Sequence, residues 1–171
     1  MSAGRSPTPQ MGRSLPRKET RAKLTGHAPY VHNLVLPAML YGKIARSQAP
    51  HARIRRIDTE AARALPGVHR VLTGEDIRGL IPDPHYGPAF HDQPILALDK
   101  VRYAGEPVAL VLAADPHVAE AAARAIAVEY EALPAVFDEV AAMTSQAVVH
   151  ETLKPAGTFP DLKHLAGKRD T

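Results

Sequence analysis

Six consecutive apolar residues at 108–113, Val-Ala-Leu-Val-Leu-Ala, are followed after one further alanine by Asp115 and Pro116. A short, uninterrupted apolar run of this kind reads as a strand buried on both faces. Aspartate then proline is a strong helix start, with the carboxylate as N-cap and the proline at the first helical position. The helix is expected to continue to about residue 127. Val118, Ala122, Ala125 and Ile126 fall on one face, with Glu120 and Arg124 paired at i,i+4 outside. Residues 128–131 read as a returning strand ended by Leu133 and Pro134. Two strands joined by a helix are usually a parallel crossover lying on one face of a sheet.

A second strand, helix and strand occur earlier, at 53–58, 59–65 and 68–72. Pro66 and Gly67 stop that helix, and Thr73 or Gly74 opens another short one with Glu75 and Asp76 at its positive end. A strand at 39–45 precedes them. Residues 94–98 and 100–103 are short extended pieces, and 138–143 reads as a last short helix with Asp138 near its N-cap. The segment 81–93 is a long irregular loop with three prolines. The pattern gives an α+β class: a mixed sheet with short helices on it, flanked by extended N- and C-terminal arms.

The 171 residues carry 45% hydrophobic and 23% charged side chains, enough for one domain with a real core. No apolar run is long enough to span a membrane, and the start MSAGRSPTPQ has no secretory h-region. Cysteine is absent, which excludes disulfides, thiolate nucleophiles and cysteine-ligated metal centres in this chain. A cytoplasmic setting fits that usage. The net charge of +3 comes from the ends: Arg5, Arg13, Arg17, Lys18, Arg21 and Lys23 face a single Glu19, and the middle of the chain is net acidic. Nucleic-acid binding through this arm is disfavoured, because no aromatic residues interleave the charges to stack on bases.

Three sets of residues invite a chemical reading. His85, His91 and Asp92 are the nearest approach to a metal cluster, but an H-x5-H-D spacing in a loop does not make ligands converge. Ser47, His51 and Asp58 contain the types of a nucleophile triad, yet no nucleophile elbow or oxyanion glycines surround Ser47. His51 is expected instead to bond the backbone and set a turn. His117 lies in the first turn of a helix. Glu106, after Gly105, is read as part of a turn leading into the buried strand. Gly12, Gly26 and Gly42 have no phosphate-binding spacing. No residue is assigned as catalytic, cofactor-binding or metal-binding.

Four ordered segments carry a resemblance: L-P-A-M-L-Y-G-K-I-A-R-S-Q-A-P-H-A-R-I (36–54), A-L-P-G-V-H-R-V-L-T-G-E-D-I (64–77), D-K-V-R-Y-A-G-E-P-V-A-L-V-L-A (99–113) and A-V-E-Y-E-A-L-P-A-V-F-D (127–138), with the opening arm at 12–30 adding to them. Over roughly residues 11–150 the chain resembles the large subunit of the xanthine dehydrogenase and aldehyde oxidase family, its bacterial carbon monoxide dehydrogenase branch in particular. The third segment is the most specific.

The resemblance implies an α/β hammerhead-type domain, the first domain of that subunit. It implies a molybdenum hydroxylase acting on aldehydes, purines or other N-heterocycles with water as the oxygen source. A molybdenum–pterin cofactor would do the chemistry, and iron–sulfur clusters and FAD on other domains or subunits would carry electrons away. The family's cofactor loops and catalytic glutamate lie downstream of this region, so Glu106 does not take that role and the chain alone is expected to hold none of these cofactors. The resulting expectation is a basic arm at 1–30, a hammerhead domain at 31–145, and a tail at 146–171 leading to a missing or separate cofactor-binding domain. Relatives continue for several hundred residues beyond the point matching Thr171, which is consistent with a split gene or an excised piece. The alternative is a free-standing assembly module without enzymatic activity. The substrate, electron acceptor, oligomeric state and molybdenum ligands depend on residues outside this sequence.

Overall fold

The apolar run at 108–113 becomes a central strand in the computed structural model, which describes residues 14–87 and 92–151. The chain divides into two compact units, Met1–Pro37 and Ala38–Thr171. The first contains a single helical turn, α1 (Thr20–Leu24), and a 3-10 turn at Val31–Asn33. Glu19 and Lys23 pair across that helical turn at 2.8 Å, and Gly26 follows with φ of +72°. The segment at 1–30 is expected to be a basic extended arm. Local i,i+4 pairing and good helix formers coil part of it instead. Residues 1–13 lie outside the described residues.

The second unit contains, in chain order, β1 (Tyr41–Arg46), β2 (Ala52–Asp58), α2 (Glu60–Arg63), β3 (Val68–Thr73), α3 (Gly74–Leu80), β4 (His85–Tyr86) and β5 (Gln93–Pro94). It continues with β6 (Lys100–Val101), β7 (Pro107–Ala113), α4 (Pro116–Ala125), β8 (Ala127–Ala132) and α5 (Glu139–Ala142). Two three-stranded sheets result, ordered β1-β7-β3 and β6-β2-β8, with β4 and β5 as a separate ribbon.

The α+β class stands, but the mixed sheet with parallel crossovers does not: every strand pairing among the described residues is antiparallel. The two strand–helix–strand units each pass from one sheet to the other. β7 is hydrogen-bonded on both edges by β1 and β3, and β2 on both edges by β8 and β6. With its neighbouring edges taken, β7 has no free place beside it for β8, which pairs with β2 instead.

β7 also joins the two cores. Val111 packs with Val71 of β3, Ala62 of α2 and Ala122 of α4. Val108 packs with Ala52, Ala97 and Val101 in the second core. The strand is not buried on both faces along its length. Leu110 and Leu112 are only half-buried and flank Gly42 of β1, on the face opposite the helices.

Capping follows the sequence. Asp115 accepts from the backbone N–H of His117 (2.8 Å) and Val118 (3.2 Å) to start α4. At α3, the Asp76 carboxylate accepts from the Thr73 N–H (2.7 Å) and hydroxyl (2.9 Å), and the Thr73 backbone bond holds its pKa below the ordinary aspartate range. Gly74 is needed there for space, since a Cβ would stand 2.2 Å from the Ala97 carbonyl oxygen.

Candidate functional site

The turn between β6 and β7 carries the segment R-Y-A-G-E-P and concentrates the buried charge of the domain. Gly105 has φ of +96°, a left-handed conformation that side chains disfavour. It lets the chain reverse against the end of β1. The Gly105 N–H donates to the Ser47 carbonyl (2.8 Å), and the Ser47 N–H donates to the Glu106 carbonyl (2.9 Å). Arg46 adds a bond from its guanidinium to the Gly105 carbonyl at 2.8 Å.

Glu106 is only 2% exposed. Its carboxylate accepts a short hydrogen bond from the Arg102 backbone N–H and pairs with the Arg102 guanidinium at 3.1 Å. A buried carboxylate needs such a partner. Glu106 therefore closes the turn, as the sequence implied; what the sequence did not reveal was its partner. The signal was the R-x-x-x-E spacing, which ordinarily marks a helix and here is spanned by a glycine turn. Beside the pair, burial and then the Glu106 charge push the Tyr103 hydroxyl above its usual pKa range.

His51 is 6% exposed. Its Nδ1 lies 2.7 Å from the Pro134 carbonyl oxygen, so it bonds the backbone as expected, though to residues far along the chain. Its Nε2 and the Nε of Arg102 are buried and have no hydrogen-bond partner among the described residues. Both side chains line one cavity of about 190 Å³, together with Ala135, Val136, Phe137 and Val149. A neighbouring cavity of about 280 Å³ shares Arg102, Tyr103 and Val149 and adds Glu106 and His150. Lys100, also buried, reaches Glu151 at 2.6 Å; that bond holds the Glu151 carboxyl below its ordinary range.

The other sequence candidates separate. Ser47 is folded onto its own turn, its hydroxyl donating to the Ala49 carbonyl and accepting from the Ala49 N–H. Asp58 instead pairs with Arg56 at 3.0 Å and accepts from the Glu60 N–H. Ser47, His51 and Asp58 thus form no relay. His85 bonds Asp83 at 2.7 Å, and His91 lies outside the described residues. His117 is exposed at the start of α4. No group of three histidine, cysteine or acidic side chains suited to a metal occurs among the described residues. No helix among them is long and apolar enough to cross a membrane.

Known proteins place this geometry. Residues 25–134 match the family described as aldehyde oxidase and xanthine dehydrogenase, a/b hammerhead domain. The chain is 39% identical over 145 residues to the 6-hydroxypseudooxynicotine dehydrogenase complex subunit gamma of Paenarthrobacter nicotinovorans, covering 80% of this chain and 18% of that one. It is 36% identical over 127 residues to the nicotinate dehydrogenase large molybdopterin subunit of Eubacterium barkeri, covering 74% and 29% respectively. The crystal structure of quinoline 2-oxidoreductase from Pseudomonas putida 86 superposes with a TM-score of 0.77 at 39% identity, over 86% of this chain and 19% of that one. The chain thus spans less than a third of the length of these proteins.

Proposed function

The chain belongs to the aldehyde oxidase and xanthine dehydrogenase a/b hammerhead family, and from that premise we propose that it serves as the hammerhead domain, as N-terminal domain or split subunit, of a molybdenum hydroxylase whose chemistry is done outside these residues. The observation that carries this reading is the family match across residues 25–134, which takes in both sheets and the R-Y-A-G-E-P turn. Relatives named for subunits of dehydrogenases and for molybdopterin support the system.

The residues present do not fit an iron–sulfur cluster. Iron–sulfur clusters need thiolates, and the sequence has no cysteine. The molybdenum–pterin, iron–sulfur and flavin groups are assigned to the rest of the enzyme, on a further domain or a separate subunit, and no reaction step is drawn through these residues. Its role is to scaffold the cofactor-binding part and to help enclose the route by which an aldehyde, purine or other N-heterocycle reaches it. The division into an arm at 1–30, a domain at 31–145 and a tail at 146–171 belongs to the same proposal, as does a cytoplasmic setting.

The test is to purify the chain from its native cell under mild conditions, identify what co-elutes and assay molybdenum. A molybdenum-containing polypeptide with iron–sulfur and flavin partners in fixed ratio is the expected result. A folded chain eluting alone and metal-free would remove the enzyme assignment and favour a free-standing module.

A further inference from the structure

Lysine is seldom buried without a partner, and Lys100 in β6 is only 6% exposed. Among the described residues its ammonium bonds one carboxylate, that of Glu151, at 2.6 Å. The two ends of this pair differ: the Lys100 side chain is 7% exposed and that of Glu151 68%. No acid from the sheets or helices meets the ammonium among the described residues. Its partner comes from the segment after α5, 51 residues further along the chain.

That segment lies along the domain with a two-residue period. Ser145, Ala147 and Val149 are half-buried, and Gln146, Val148 and His150 between them are exposed. An extended chain turns alternate residues to opposite sides, so Glu151 continues the inward row. Val149 lines both cavities that contain Arg102 and Tyr103, and His150 lines the one that also contains Glu106. The segment therefore covers the buried Arg102–Glu106 pair. Yet residues 146–151 make no main-chain to main-chain hydrogen bond among the described residues. No ladder holds them down. Ser145 bonds only within its own turn, accepting from the Ala147 N–H at 3.0 Å. What remains is a little apolar contact and the one charged bond to Lys100.

The charges make that bond decisive. Lys100 and Arg102 are two cations on one short stretch, and the Arg102 guanidinium donates to the Lys100 carbonyl at 3.4 Å. Glu106 neutralises Arg102, and Glu151 neutralises Lys100. When the segment lifts, Lys100 loses its counter-charge and takes water in its place. A dry ammonium without an acid is strongly unfavourable, so positions between latched and free are disfavoured.

We propose that residues 145–151 form a strap, latched by Lys100 and Glu151, that opens and closes over the Arg102–Glu106 pair while both sheets stay folded. Latched, the strap keeps the pair dry. Released, it admits water to both cavities and exposes the pair.

The chain has no cysteine, so Val148→Cys, at a position 58% exposed, carries a single nitroxide label on the strap. The labelled full chain is compared with the same chain bearing Glu151→Ala, Lys100→Met or both. One readout is the nitroxide line shape. The other is hydrogen exchange at the Arg102 N–H, which donates to Glu106 beneath the strap and exchanges when the cover opens. Each variant should keep native circular dichroism, sharpen the line shape and speed Arg102 exchange about tenfold, between the effects of an exposed and a buried pair. The double variant should add nothing further, because one shared bond is lost only once. Lys100→Met removes the buried charge together with the bond, so it tests the latch without stranding a cation. A folded Lys100→Met with an immobile label and unchanged Arg102 exchange overturns the proposal, whatever Glu151→Ala does. A mobile label with unchanged exchange shows that the strap does not cover the pair, and additive effects show that the two residues do not form the latch. Loss of native circular dichroism in both single variants assigns the pair to the core. Each of these results overturns the strap as well.

Discussion

Replacing Gly74 with alanine should destabilise the domain sharply, although alanine is the better helix former. Gly74 opens α3 and is buried. A Cβ there would lie 2.2 Å from the Ala97 carbonyl oxygen, 3.1 Å from its carbon and 3.2 Å from the Leu98 Cα. The first distance is about 1 Å inside ordinary contact. All three neighbours are backbone, so no rotamer change relieves the clash. Ala97 is fully buried in the core with Val101 and Val108, and its N–H donates to the Pro107 carbonyl at 2.7 Å. Moving it away strains that bond and opens the packing. Overpacking costs about 1–3 kcal/mol, and weakening the buried bond adds about 0.5–1.5 kcal/mol. The smaller unfolded-state entropy of alanine offsets about 0.4–1 kcal/mol. The net loss is about 0.5–4 kcal/mol with a midpoint near 2, or on the order of 10 °C in melting temperature. Gly79 in the same helix is the control: it is exposed, and nothing lies within 4 Å of its Cβ position. Gly79→Ala should gain about 0.5–1 kcal/mol. Urea denaturation of the full chain reads both, with m unchanged. A Gly74→Ala midpoint equal to or above wild type would refute the close approach of α3 to residues 97–98.

Three further outcomes are expected. Val111→Asp should unfold the second unit, because it buries an unpaired charge at a fully buried position and loses several kcal/mol; a soluble variant with native circular dichroism would contradict the central place of β7. Glu106→Ala should lose about 3–5 kcal/mol by stranding the Arg102 guanidinium, with Glu106→Gln losing less, and equal urea midpoints for both and wild type would show that the pair contributes nothing. Asp76 has a lowered folded pKa, so its contribution is fully present above the unfolded aspartate value and is lost as pH falls through the folded one. Asp76→Asn should remove that acid-dependent part of the stability curve, and identical pH profiles of the urea midpoint would count against the Thr73 bonds.

Much of the secondary structure was legible because its causes are local. Asp115 and Pro116 fix the start of α4 through bonds two and three residues away, and Thr73 with Asp76 does the same for α3. Pro66 and Gly67 stop a helix whatever surrounds them. The membership of the chain was legible for a related reason: the segments at 36–54, 64–77 and 99–113 encode the turns, strands and buried pair that define the fold, in a fixed order.

The pairing of those strands was not legible. Apolar content shows that residues 108–113 are covered, but not that β1 and β3 occupy both edges of β7 and send β8 to β2. That outcome depends on competition among edges far apart in sequence. The same holds for the candidate site. Glu106 and Arg102 stand close in sequence, yet only the left-handed Gly105 brings their side chains together. His51 meets Pro134 across most of the domain, and only the fold shows that its Nε2 is buried without a hydrogen-bond partner among the described residues. Local hydrogen bonds and steric limits act within a few residues, so the sequence determined where α3 and α4 begin and where α2 stops. Burial and edge pairing act between distant residues, so only the tertiary structure decided which polar atoms were left without partners.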